Sequence, residues 1–187
     1  MRKICLFAVL LMLTGCASED KTLQPALLFR AELLNAGQCA FTAEVTADYG
    51  DLVYEFTMDC TAASDGTTQI AVTKPESIAG ITAAVTNGTV TFEGMSLDFG
   101  AMADGRLTPL AAPAMAVESW RSSYIASAGK TEDGYRVSFE NGFQDEKLTV
   151  DTWFSPDGQP IYTELQNDGK CLIKMNILNF KTKGSSD

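Results

Sequence analysis

The pattern of apolar and polar positions divides the chain into short alternating runs separated by turn residues. The clearest run is Cys39 to Cys60. Folding each residue i onto 99 − i collects Cys39, Phe41, Ala43, Val45 and Ala47 opposite Cys60, Met58, Phe56, Tyr54 and Leu52 on one face. Thr42, Glu44, Thr46 and Asp48 meet Thr57, Glu55, Val53 and Asp51 on the other. A one-residue slip would mix the faces, so the pattern predicts a β-hairpin in this register, turning at Asp48-Tyr49-Gly50-Asp51 through a two- or four-residue connection. The two cysteines would then be direct neighbours, close enough for a disulfide. Two free buried thiols are the alternative, and Cys171, which leaves an odd count, could instead pair with either partner.

Helical spacing precedes this hairpin. From Pro25, the residues Ala26, Phe29, Leu33 and Ala36 recur on one side with Leu27 and Leu34 beside them. Arg30, Glu32 and Asn35 take the wet face, and Gly37 stops the helix. After Cys60, Ser64-Asp65-Gly66-Thr67 predicts a turn, and a strand follows around Gln69 to Thr73 until Lys74-Pro75-Glu76 breaks it. Asn87-Gly88 joins two further strands, with Ile81, Ala83 and Val85 opposite Gly94, Phe92 and Val90. Met95, Leu97 and Phe99 continue the alternation. The Ala-, Gly- and Pro-rich stretch from Gly100 to Pro113 reads as loop, and Pro113 opens a second helix to about Ser127, with Val117, Trp120 and Tyr124 on one side.

The closing third alternates again. Tyr135, Val137 and Phe139 share a face, then Leu148, Val150 and Phe154, then Ile161 and Leu165, then Cys171, Ile173, Met175 and Ile177. Glu132-Asp133-Gly134, the Asn141-Gly142 loop, Pro156-Asp157-Gly158 and Asn167-Asp168-Gly169 separate them. Tight turns between one-sided strands predict a mainly antiparallel sheet with one dry face, hence an α+β domain.

Composition narrows the class. The 187 residues have room for one domain with a sizeable core. The formal charge of −10 leaves no clustered Lys and Arg for phosphate, so nucleic acid is excluded as a partner. The absence of histidine removes the commonest general base and metal ligand. Scattered cysteines lack zinc-site spacing, and the acidic residues fall on wet faces or in turns. The expectation is therefore no enzymatic activity, no cofactor and no metal.

The N-terminus carries a separate signal. Arg2 and Lys3 precede an apolar run, Ile4 to Leu13, too short to span a bilayer comfortably. It ends in Leu13-Thr14-Gly15-Cys16, which resembles the bacterial lipobox. That resemblance implies cleavage before Cys16, acylation of its sulfur, and an extracytoplasmic protein held on the bacterial cell membrane by lipid. Without Arg2 and Lys3, 12 basic residues face 24 acidic ones, a mature charge of −12. The expected organisation is residues 1–15 signal peptide, 16–23 lipidated cysteine and tether, 24–183 one domain, and 184–187 a frayed tail.

Lipobox, tether, amphipathic helix, meandering strands, a second helix after a Pro-rich loop and a closing meander together resemble the LolA-like lipoprotein-carrier superfamily. That group includes the mycobacterial LppX/LprG lipoproteins. The stretch Lys74-Pro75-Glu76-Ser77-Ile78-Ala79-Gly80-Ile81-Thr82 resembles lipoproteins of Gram-positive anaerobes with this fold. The resemblance implies a strongly curved antiparallel half-barrel with about two helices on its concave side. It also implies a space between sheet and helices that takes a lipid, an acyl chain or a lipoprotein ligand. Its lining would come from Phe41, Val45, Tyr54, Phe56, Met58, Phe92, Trp120, Phe139 and Phe154. The same side chains could instead form a packed core, in which case a lipid-anchored protein–protein interaction or envelope-assembly factor is the alternative function.

Overall fold

The computed structural model describes residues 22–87, 89–92, 95–98, 102–103, 106–141 and 148–184. The proposed signal peptide, Cys16, Gly94, Phe99 and most of the loop after Asn141 lie outside them.

Helix α1 runs Gln24–Ala36. Pro25 opens it, and Gly37 closes it with φ 73°. Ala26, Phe29 and Leu33 are buried as their spacing predicts. Strands β1 (Gln38–Asp48) and β2 (Val53–Ala62) form the expected hairpin, followed by β3 (Thr68–Lys74). The break after β3 is a cis Lys74–Pro75 bond and a 3-10 turn, Glu76–Ile78. Strands β4 (Thr82–Thr86) and β5 (Thr89–Phe92) pair with Val85 opposite Val90, the register expected from Asn87-Gly88. Strand β6 (Met95–Asp98) extends the ladder. The Ala/Gly/Pro-rich stretch holds a two-residue ribbon, β7 (Met102–Ala103) with β8 (Arg106–Leu107), and a 3-10 turn, Pro109–Ala111.

Helix α2 is Ala112–Ser122, ending five residues before its apolar spacing predicts. Ser123 is extended, with ψ 157°, and Tyr124 begins strand β9 (Tyr124–Thr131). Tyr124 is therefore not on a helical face with Trp120; it is 73% exposed on the edge strand. The aromatic and β-branched pair Tyr124-Ile125 favours the strand, and pairing with β10 (Gly134–Asn141) supplies its ladder. Strands β11 (Leu148–Phe154), β12 (Pro160–Asn167) and β13 (Lys170–Lys183) complete the meander.

Eleven strands form one antiparallel sheet in the order β6-β5-β4-β3-β2-β1-β13-β12-β11-β10-β9. Among the described residues its two edges, β6 and β9, do not pair, so the sheet is open. Strand β13 returns to β1 and joins the two meanders at the centre. The curvature follows from what α2 touches. The indole Nε1 of Trp120 donates to Thr152 Oγ1 on β11 at 2.8 Å, while the next residue, Arg121, donates to the carbonyl oxygen of Ala63, just past β2, at 2.5 Å. Those strands are four steps apart, roughly 19 Å along a flat sheet. Consecutive helical residues reach both because the sheet curls around the helix.

One correction concerns the first hairpin. Cys39 pairs with Ala62, Phe41 with Cys60, and Asp48 with Val53, so every partner lies two residues further on than expected. A two-residue slip keeps each side chain on its face, so face sorting cannot detect it. The loop decides: the N–H of Tyr49 donates to the carbonyl oxygen of Leu52 at 3.0 Å, and Asp48 Oδ1 accepts from the N–H of Gly50 at 2.8 Å. Leu52 is thereby drawn into a four-residue turn. Cys39 and Cys60 are offset instead of opposite, and both are free thiols; the expected disulfide is absent. Burial pushes the Cys39 thiol up to about 11 and the Cys60 thiol higher still. Cys171 was expected on the dry face. A bulge between Leu165 and Gln166 sets it opposite Gln166, on the outer side with Glu164 and Lys174, half-buried.

Candidate functional site

The space between sheet and helices has two halves. Under β1, β13 and β11 it is filled. Phe29 of α1 lies 5.9 Å from Trp120, 4.8 Å from Phe154 and 5.9 Å from Phe180, centroid to centroid. Phe41 closes the group at 6.0 Å from Trp120 and 6.1 Å from Phe180, and Tyr135 stacks on Phe154 at 4.9 Å. The edge-to-face and offset pairs are the arrangements that ring quadrupoles favour. Met58, Trp120 and Phe139 have no exposed surface, and Val45 and Phe154 have 1% each.

Arg30 seals this half. It was expected on the wet face, yet its guanidinium crosses to the end of α2. Nε donates to the carbonyl oxygen of Trp120 at 2.8 Å, and Nη2 to those of Ser123 at 2.6 Å and Ser119 at 3.4 Å. Trp120 is in the last turn of α2, where carbonyls lack intrahelical partners and a cation is favoured, and the Ser119 carbonyl also accepts the N–H of Ser123. The same group lies 5.7 Å from the Phe139 ring.

The other half is open. A cleft of about 590 Å³ runs along α2 between the two arms of the curled sheet. Val85 and Asn87 from the β4–β5 arm line one wall, and Asn141 and Leu148 from β10 and β11 line the other. Ala111, Ala114, Met115 and Val117 make the helical wall. Glu118, Arg121, Ser122 and Ser64 give the polar rim. Strands β4 and β11 are six steps apart in the sheet, so only its curl brings them to one cleft.

Arg121 is fixed at that rim by the carbonyls of Ala63, Gly37 (3.2 Å) and Ala62 (3.5 Å). Among the described residues it makes no ion pair. The ion pair they hold, Arg136 with Asp151 at 2.5 Å, is on the outer face of the sheet. Asp151 is 2% exposed there, bound also by Ser138 and by Gln166 Nε2 at 3.0 Å. Such a fully satisfied carboxylate is a staple between β10, β11 and β12.

None of the nine side chains singled out from sequence lines the 590 Å³ cleft. Phe41, Met58, Trp120 and Phe139 pack in the filled half. Val45 and Phe56 reach a notch of about 610 Å³ beside β2, where β3 ends at Lys74; Glu44, Glu55 and Glu76 also line it. Phe154 touches a smaller cleft of about 290 Å³ near the β9–β10 turn. Tyr54 is 42% exposed near the first hairpin tip, stacked on Phe56, and Phe92 is half-buried against the core. The actual cleft residues carry a weak sequence signal. Ala111-Ala112-Pro113-Ala114-Met115-Ala116 is a run of small side chains that leaves room beside a helix.

An open antiparallel half-barrel with helices on its concave face and an apolar cleft beside one of them is the class of protein that fold and site define. No protein-family model matches the chain, and no curated protein matches it in sequence. Solved structures similar to it include a LolA superfamily protein from Nitrosomonas europaea, at 8% identity and TM-score 0.44 over 87% of this chain and 95% of that one. An uncharacterised conserved protein from Thermus thermophilus is similar at 14% identity and TM-score 0.45, over 87% and 88%. A domain described as outer membrane lipoprotein-sorting, from Vibrio parahaemolyticus, is similar at 9% identity and TM-score 0.45, over 90% and 94%. One of these neighbours, the protein from Nitrosomonas europaea, bears the name of the group that the sequence resembles.

Proposed function

We propose that the chain is a lipid-anchored extracytoplasmic binding protein that holds an acyl chain, or another apolar ligand with an anionic end, in the cleft along α2. It performs no chemistry on that ligand. The observation that carries this reading is the cleft itself. Its volume of about 590 Å³ lies within the range of roughly 300–1,000 Å³ typical of small-molecule sites. Its walls are Val85, Ala111, Ala114, Met115, Val117 and Leu148, and its rim holds Arg121, which among the described residues makes no ion pair, beside Glu118. An apolar chain would bury those walls, and a carboxylate or phosphate end would sit near Arg121. The lipobox ending at Cys16 supports the anchor and the location outside the cytoplasm.

The test is extraction. The soluble chain beginning at Ala17 is purified from a membrane-containing host and its organic extract is weighed against protein by mass spectrometry. A lipid at near-stoichiometric amount is expected. Its absence, together with failure of a fluorescent fatty acid to bind, would sink the reading. The second reading, an anchored protein–protein or envelope-assembly factor, draws support from the filled half, where Phe29, Phe41, Trp120 and Phe154 pack ring against ring.

A further inference from the structure

Helix α1 has an outward face without a partner among the described residues. Leu27, Leu28 and Leu34 are 53%, 64% and 55% exposed. At 100° per residue, Gln24, Ala31 and Asn35 lie opposite the buried Ala26, Phe29 and Leu33, with Leu27 and Leu34 on one flank of that arc and Leu28 on the other. No charged residue falls within this arc. The two charges of the helix bound it and are held elsewhere. Arg30 is turned inward onto the end of α2, and Glu32 Oε1 accepts from Thr182 Oγ1 at 3.2 Å. An uncharged leucine face is conspicuous on a mature chain with 12 basic and 24 acidic residues.

We propose that this face of α1 lies on the bilayer that holds Cys16, with Leu27, Leu28 and Leu34 in the interface. The proposal rests on the lipidation reading above and adds an orientation to it. Chain length supports it: seven residues separate Cys16 from Gln24, so α1 begins at most about 28 Å from the anchor. Charge supports it as well. An acidic domain is repelled by an anionic leaflet, and α1 offers a neutral apolar surface that can approach one. The other apolar cluster, Leu52, Val53 and Tyr54 at the tip of the first hairpin, is flanked by Asp48 and Asp51 and lacks that neutrality.

The full-length protein is expressed in a bacterial host, and the acyl group on Cys16 is verified by mass spectrometry. An environment-sensitive fluorophore is attached at Leu28→Cys, or at Lys174→Cys on the outer face of the sheet, in a Cys171→Ser background. Vesicles of phosphatidylethanolamine and phosphatidylglycerol carry doxyl-labelled lipid. Quenching at position 28 is expected to exceed that at 174 several-fold, and Leu27→Ser with Leu34→Ser to bring it down towards the control. An acylated protein whose position 28 is quenched no more than 174 overturns the seating and leaves the anchor intact. Copy-to-copy crosslinking through position 28 without lipid quenching overturns it in favour of a dimer. A Cys16 without acyl groups overturns the anchor and the seating with it.

Discussion

The two halves of the space under the sheet are built from the same kind of strand, yet one is solid and the other hollow. In the solid half α1 and α2 both reach the sheet, and large rings meet there: Phe29, Phe41, Trp120, Phe154 and Phe180. In the hollow half α2 is the only described helix, and it turns Ala114 and Met115, with Ala111 just before it, towards walls made by Val85 and Leu148. A one-sided sheet obliges the chain to cover its dry face. How completely it does so depends on the size of the covering side chains and on whether a second helix arrives. The same helix serves both halves: Trp120 faces the filled side, while Ala114 and Arg121 face the cleft.

Removing the largest ring should break the solid half. Trp120→Ala deletes a fully buried indole and its hydrogen bond to Thr152, and should cost about 4 kcal/mol in urea unfolding. A loss below about 1 kcal/mol would mean that the half is already loose. The rim of the same half gives the next effect. Gly134 has φ 146°, and a Cβ there would stand 2.0 Å from the carbonyl oxygen of Phe154. Gly134→Ala should therefore force the β9–β10 turn away from Phe154, costing about 3 kcal/mol by the same assay. Near-native stability would show that the turn can move without disturbing the Tyr135–Phe154 stack.

Much of the solid half was legible in the chain. Phe41, Val137, Phe139, Val150 and Phe154 alternate, and all are buried. The register of the second hairpin was legible, because Asn87-Gly88 fixes a two-residue loop, but Ile81, expected on its dry face, lies outside β4 and is 42% exposed. The first hairpin was not, because its turn residues fit loops that differ by two in register and leave the faces unchanged. The end of α2 was hidden for a different reason: Tyr124 continues the helical spacing of Val117 and Trp120, and only pairing with β10 makes it a strand. Arg30 reads as a surface residue from periodicity, since its partners are carbonyls about 90 positions away. The cleft was least legible of all. A hollow leaves no pattern of large residues, and its trace is a run of alanines beside a proline.

The thiols probe the solid half by pH. The Cys39 pKa is raised from 9.0 to about 11 by burial, partly offset by the Arg121 charge. A raised acid favours the folded state's neutral form, so its stabilising share is complete below pH 9. It is lost as the unfolded thiol ionises and pH rises towards 11. The full loss is about 2–3 kcal/mol, from roughly 1.4 kcal/mol per pKa unit. Urea midpoints measured from pH 8 to 11 should fall more steeply for the native chain than for Cys39→Ala. Equal slopes would mean that water already reaches Cys39.

The smallest effect on stability carries the most information about the hollow half. Ala114 is half-buried on the cleft wall, and Ala114→Phe directs a ring into open space instead of packed atoms. Overpacking a filled core costs about 1–3 kcal/mol, whereas filling a hollow should shift stability by less than about 1 kcal/mol in either direction. Co-purified lipid and fluorescent fatty acid binding should be lost together, because the ring occupies the ligand's place. If Ala114→Phe instead destabilises nearly as much as Trp120→Ala, the cleft walls are closed in solution and the contrast between the halves disappears. If stability and lipid binding are both unchanged, the cleft is real but is not where the ligand sits. The notch between β2 and the end of β3, where Val45 and Phe56 lie, then becomes the place to substitute next.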